Sequence, residues 1–210
     1  MNWLAHVFLS PPEIEFRLGN LLADLVKGKQ RAEMSAGFLR GVRRHQAIDA
    51  FTDFHPIVHQ SRARLGGEFR HTTGILVDVF YDHFLALSWE RYSAEPLEAF
   101  TAKLYADIRT QLAIFPAEAQ AGLDRMINED RLGSYRTIEG ITQTLRRVSQ
   151  RLAARVGRDF GLESGVAELL ANFDGLANDF AEFFPLLQAH VGTLREPENN
   201  ELVSATHEQG

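Results

Sequence analysis

The sequence predicts an all-α domain of eight or nine helices, and three observations predict it. Apolar residues recur at three- and four-residue spacing along most of the 210 residues, while the alternation expected of a strand is scarce. Proline and glycine fall at the points where such periodic segments stop and start. Apolar residues make up 45% of the chain, enough for one packed core.

The elements follow in order. Pro11-Pro12 closes a short first segment. A helix over about 13–27 is expected to stop at Gly28. One over about 35–54 ends before Pro56, and a short one over about 56–65 ends at Gly66-Gly67. Next comes a helix over about 70–92. Pro96 and Pro116 sit near the starts of helices over about 97–114 and 117–127. Helices over about 137–157 and 163–192 complete the domain, set at 1–194. The polar segment 195–210 has little to bury and reads as a disordered tail.

Composition narrows the function. There is no cysteine, so disulfides and thiolate metal sites are excluded and a reducing cytoplasm suits the chain. Any metal would be held by His, Asp, Glu, Asn or water, which favours Mn²⁺, Mg²⁺, Fe or Zn²⁺. The net charge of −6 argues against a nucleic-acid partner. No apolar run approaches the roughly 20 residues of a membrane helix. Gly-rich phosphate loops, dinucleotide fingerprints and nucleophile elbows are missing from the sequence.

Candidate chemistry concentrates in the first 83 residues. Asn2 and His6, Asn20 and Asp24, His45 and Asp49, and Asp78 and Asp82 are each four apart, one turn of a helix on one face. Asp78, Asp82 and the adjacent His83 lie in an apolar helix, where a buried carboxylate needs a cation. A metal ion would serve all three; salt bridges to Arg from other helices would serve the acids. Asp24 interrupts another apolar helix as a ligand, a general base or, the preferred reading on spacing alone, an ion-pair partner. His45 with Asp49 reads as a ligand with its orienting partner or as a surface hydrogen bond. His6 alone reads as a satisfied core histidine. Two arginine groups stand out, Arg40, Arg43 and Arg44 before His45, and Arg146, Arg147, Arg151, Arg155 and Arg158 later. Both read equally as solvated helix surface.

Four blocks, MNWLAH, GNLLADLVKG, HQAIDAFTDFHP and GILVDVFYDHFL, resemble in order and spacing the signature blocks of the acyl carrier protein phosphodiesterase family. The resemblance covers roughly residues 1–192. It implies an all-α fold related to the HD-type phosphohydrolases. It also implies hydrolysis of the phosphodiester joining 4′-phosphopantetheine to holo-acyl carrier protein, with manganese as the favoured ion. By matching position it implies Asp24, His45, Asp78 and Asp82 as metal ligands, with Asp24, His83 and His6 taking part in proton transfer. Asn20, Asp49, Arg43 and Arg44 would support these residues or the substrate. Gln46 and Ala47 depart from the basic residues of the family's third block. A nucleotide or small phosphoester hydrolase, with Trp89, Tyr81 or Tyr92 stacking on a base, is the next reading. A non-catalytic helical module, with Arg or Lys beside Asp78 and Asp82, is the third.

Overall fold

The computed structural model describes residues 1–115 and 117–194. Pro116 and the expected tail at 195–210 lie outside the described residues. Eleven α-helices and no strand are found among the described residues, so the all-α expectation holds. They are α1 (Trp3–Phe8), α2 (Ile14–Leu22), α3 (Gly28–Ala32), α4 (Ala36–Phe54), α5 (Pro56–Arg64), α6 (Thr73–Leu87), α7 (Leu97–Gln111), α8 (Ala117–Asn128), α9 (Ile138–Val156), α10 (Val166–Ala171) and α11 (Phe173–Thr193). They pack around one core, and no helix among them is long and apolar enough to cross a membrane.

Several boundaries differ from expectation, so that eleven helices stand among the described residues where eight or nine were expected, and the one expected over about 70–92 spans only Thr73–Leu87. The helix expected over 13–27 ends at Leu22, and Gly28 begins α3 instead of closing α2. Arg31 explains the break: its guanidinium donates to the carbonyls of Ala23 and Val26, groups that a continuing helix would have used. The helix expected over 163–192 breaks at Asn172, whose backbone leaves the helical region at φ −117° and ψ 19°. Helices α4, α5 and α9 fall close to where expected, with Pro56 at the first turn of α5 and Gly157 left-handed after α9.

Helix α6 runs through the centre, with Leu76, Val77, Val79, Phe80 and Leu85 buried. Tyr81 and Phe84 meet Phe180 and Phe183 of α11 in tilted and edge-on ring contacts. Each ring contributes on the order of 2–3 kcal/mol through area removed from water. Asp179 of α11 accepts from Gln60, Ser61 and Arg64 of α5, so that buried acid is fully partnered.

The contact that positions the site is between α2 and α4. A Cβ on Gly41 would lie 2.0 Å from the Phe16 carbonyl oxygen, and one on Gly19 would lie 2.0 Å from that of Phe38. Glycine at both places lets the two backbones touch. Gly41→Ala forces them apart and is expected to cost on the order of 3 kcal/mol, read as a lowered urea midpoint. An unchanged midpoint would show that the helices need not touch.

Candidate metal centre

Close packing of α2 on α4 sets Asn20 under two histidines. The Asn20 side-chain amide donates to the His6 carbonyl and to Ser10 Oγ, each at 2.8 Å. Its Oδ1 therefore faces His6 Nδ1, also at 2.8 Å, which must donate. The Asn20 backbone carbonyl takes the Nδ1 proton of His45 at 2.8 Å. One residue fixes both tautomers, and the rings stack with centroids 4.2 Å apart.

With both Nδ1 protons committed, the two Nε2 atoms carry lone pairs. Both face the carboxylate of Asp49: His6 Nε2 is 3.2 Å from Oδ1 and His45 Nε2 is 3.0 Å from Oδ2. Asp24 Oδ2 stands 3.6 Å from His45 Nε2, on a side chain 78% exposed. Lone pairs facing an anion require a proton or a metal ion between them. The buried His6 Nε2 has no hydrogen-bond partner at all. Ligand atoms of His6, His45 and Asp49 lie within 4.8 Å of one another, so the group fits a cation bound by two imidazoles and a carboxylate. Imidazoles that donate their far N–H to an amide or carbonyl are the usual arrangement at such centres.

Electrostatics without metal point the same way. Burial lowers the pKa of His6, which stays neutral. Burial also works against the His45 imidazolium, but hydrogen bonds to Asp24 and Asp49 raise its pKa to about 9. Asp49 is pushed up by burial, yet the hydrogen bond from His45 holds it well below the usual carboxylate range. One proton on His45 thus stabilises the cluster in the absence of metal. Since its folded pKa is raised, that contribution is fully present below about pH 6.5 and lost as pH rises through about 9. Metal-free protein is expected to melt a few degrees lower at pH 9.5 than at pH 6.5, roughly 2–4 °C per kcal/mol. His45→Gln should flatten that difference; an unflattened slope would place the titrating group elsewhere.

The profile of the family described as acyl carrier protein phosphodiesterase matches residues 1–187. The chain belongs to the acyl carrier protein phosphodiesterase family. A family relative of that name from Photorhabdus laumondii subsp. laumondii is 30% identical over 188 residues, covering 89% of this chain and 93% of its own. Relatives of that name from Salmonella paratyphi A and Salmonella dublin are each 32% identical over 192 residues, covering 91% of this chain and 97% of theirs. No solved structure matches.

The carboxylates of α6 in this family member have partners other than the metal or arginines expected. Asp82, fully buried, accepts from the backbone N–H groups of Asn2, Leu4 and Ala5 at 2.7–3.3 Å, closing the N-terminus of α1. Asp78 receives the amino group of Met1 at 2.9 Å. His83 donates from Nδ1 to the Tyr135 carbonyl at 2.6 Å and tethers α6 to residues 133–136. Neither Asp82 nor His83 lines the chamber of about 200 Å³ that holds His6, Asp24, His45 and Asp49; Asp78 does. Arg43 and Arg44 line neither this chamber nor the larger cleft beside it, and Arg44 lies over the ring of Phe16.

Asp49, expected only in support, joins the two histidines, and Asn20 orients them. Asn20→Ala is expected to weaken metal binding by about 10–100-fold, as loss of such orienting groups does. Titration with Mn²⁺ followed by calorimetry reads this directly; unchanged affinity would mean the rings hold their places without it. Trp3, which also lines the chamber, escaped the sequence reading, and Arg151, noted there in an arginine group, was not placed at the site. The spacing of Arg147, Arg151 and Arg155 four apart was the available signal for the second.

Proposed function

We propose that this chain hydrolyses the phosphodiester between 4′-phosphopantetheine and acyl carrier protein in the cytoplasm. A divalent ion, manganese before magnesium or iron, would be held by His6, His45 and Asp49. The observation that carries the reading is the pair of Nε2 lone pairs aimed at Asp49 in a chain matched by the family over residues 1–187. Histidine and aspartate ligands on packed helices would also suit a relation to HD-type phosphohydrolases.

When bound, such an ion supplies Lewis-acid stabilisation of phosphoryl oxygens and activation of water. The chain supplies the rest. Asn20 and Asp49 hold the imidazoles in register, and Asp24 stands at the mouth with its pKa lowered, chiefly by the hydrogen bond from His45. An ionised carboxylate there, reaching both the chamber and the cleft, is placed to take a proton from the attacking water. The other expected proton donors are otherwise engaged: His6 gives its Nδ1 proton to Asn20, and His83 lines neither cavity.

The particular residues expected for the alternatives are not in place among the described residues. Trp89, Tyr81 and Tyr92, the expected base-stacking groups, line neither cavity, and Trp89 and Tyr81 are buried in the core. No Arg or Lys pairs with Asp78 or Asp82, as a non-catalytic module would require. Metal-stripped protein incubated with holo-acyl carrier protein, with and without Mn²⁺, tests the proposal by carrier mass. Manganese-dependent loss of the phosphopantetheine mass supports it. Stoichiometric metal without that loss would overturn the substrate and keep the metal centre; neither would overturn both.

A further inference from the structure

The chamber opens onto a second, larger cavity of about 770 Å³, and the two share Asn2, Trp3, Leu21, Asp24, Leu25 and Arg151. That volume is in the range of sites that enclose a small organic ligand. Helices α8 and α9 form its walls, and Leu21, Leu123 and Met126 give it an apolar lining. Its charged rim is one-sided. Lys27, Arg125, Arg131, Arg147, Arg151 and Arg155 face only Asp24 and Glu118, in a chain whose net charge is −6.

Three of these arginines, Arg147, Arg151 and Arg155, form a stripe along one face of α9. Arg147 is 2.8 Å from Glu129. Arg151 and Arg155 have no carboxylate within ion-pair distance among the described residues. Arg151 instead lies over the Trp3 ring, 5.8 Å from its centroid. A guanidinium stacked on an aromatic face keeps its N–H edge available for a planar or tetrahedral anion. Among the described residues, Arg151 is also the only lysine or arginine common to the linings of the chamber and the cleft.

We propose that Arg151 binds the substrate phosphate at the junction of the two cavities, and that the cleft between α8 and α9 encloses the slender amide-and-methylene arm beyond it. The inference rests on the phosphodiesterase reading above. A phosphate held at the junction lies beside the His6–His45–Asp49 group, and an arm of alternating amides and methylenes matches an apolar lining with a polar rim. A free phosphate alone would leave the cleft unfilled.

Binding of free 4′-phosphopantetheine, measured by calorimetry on the metal-free chain, tests this apart from turnover. Arg151→Gln should weaken it roughly tenfold or more, the usual loss for a charge-assisted hydrogen bond. The same change should leave the binding of pantetheine, which lacks the phosphate, unaltered. Gly122→Trp probes the cleft: Gly122 lines it and a Cβ there meets nothing within 4 Å, so α8 accommodates a large side chain at the lining. It should weaken both ligands roughly tenfold or more. Equal binding by wild type and both variants, or no saturable binding by wild type, overturns the inference. Release of phosphopantetheine from holo-carrier by the same wild-type sample, assayed in parallel, then tells whether the phosphodiesterase reading survives it.

Discussion

Asp49→Ala is expected to abolish metal retention and lower turnover at least about a hundredfold, because a ligand is lost as well as its orienting effect. The side chain is 38% exposed and lies on the surface of α4, so its removal leaves the core untouched. What disappears is the anion that both Nε2 atoms face at 3.0 and 3.2 Å. Without it the His45 imidazolium loses a main support, and the two stacked imidazoles keep Asp24 and Asp78 as the acids of the chamber. Elemental analysis of the purified variant and a carrier mass assay check the two effects together. Bound metal and turnover within about twofold of wild type would remove Asp49 from the centre and shift the ligand role toward Asp24 or Asp78.

Asp82→Ala is expected to be the most damaging single change to the fold, at about 3–5 kcal/mol. Alanine would leave the N–H groups of Asn2, Leu4 and Ala5 facing a void, and Leu4 and Ala5 are fully buried. Helix α1 has only six residues and cannot hold itself together without that anchor. Since total stability is usually about 5–15 kcal/mol, the variant should show a much lower urea midpoint. Detachment of α1 also moves His6, so metal binding should fall with stability. A loss below about 1 kcal/mol would mean that water or another acceptor replaces the carboxylate. Asp82 itself is pushed up to about pKa 7 by burial, against the pull of the Met1 amino group and the three amides.

The fold class was legible because α4, α5 and α9 carry clear caps and breakers: Ser35, Pro56, Thr137 and Gly157 act where their chemistry says they should. Gly28 misled because the signal that ends α2 is Arg31, a side chain reaching back to two carbonyls, which no local pattern announces. At the site, the four-residue spacing of His45 and Asp49 correctly placed them on one face. Spacing also correctly said that Asp78 and Asp82 need compensation. It could not say that a short helix about 80 residues earlier would bring the donors as backbone amides and the Met1 amino group. Asn20 was visible as a polar residue in an apolar helix, but its three-way role depends on Gly19 and Gly41 letting α2 and α4 touch.

Chain order gives this centre a history. Its ligands and their orienting amide all come from α1, α2 and α4, so they leave the ribosome within the first 54 residues. The carboxylate that anchors α1 arrives with α6, and the arginines that wall the cleft arrive with α9. A nascent chain therefore carries the donor atoms long before it has the scaffold that aims them, since segments emerge in order from the N-terminus. On the metal reading proposed above, the centre would be complete only after α6 and α9 had joined the helices that carry its donor atoms.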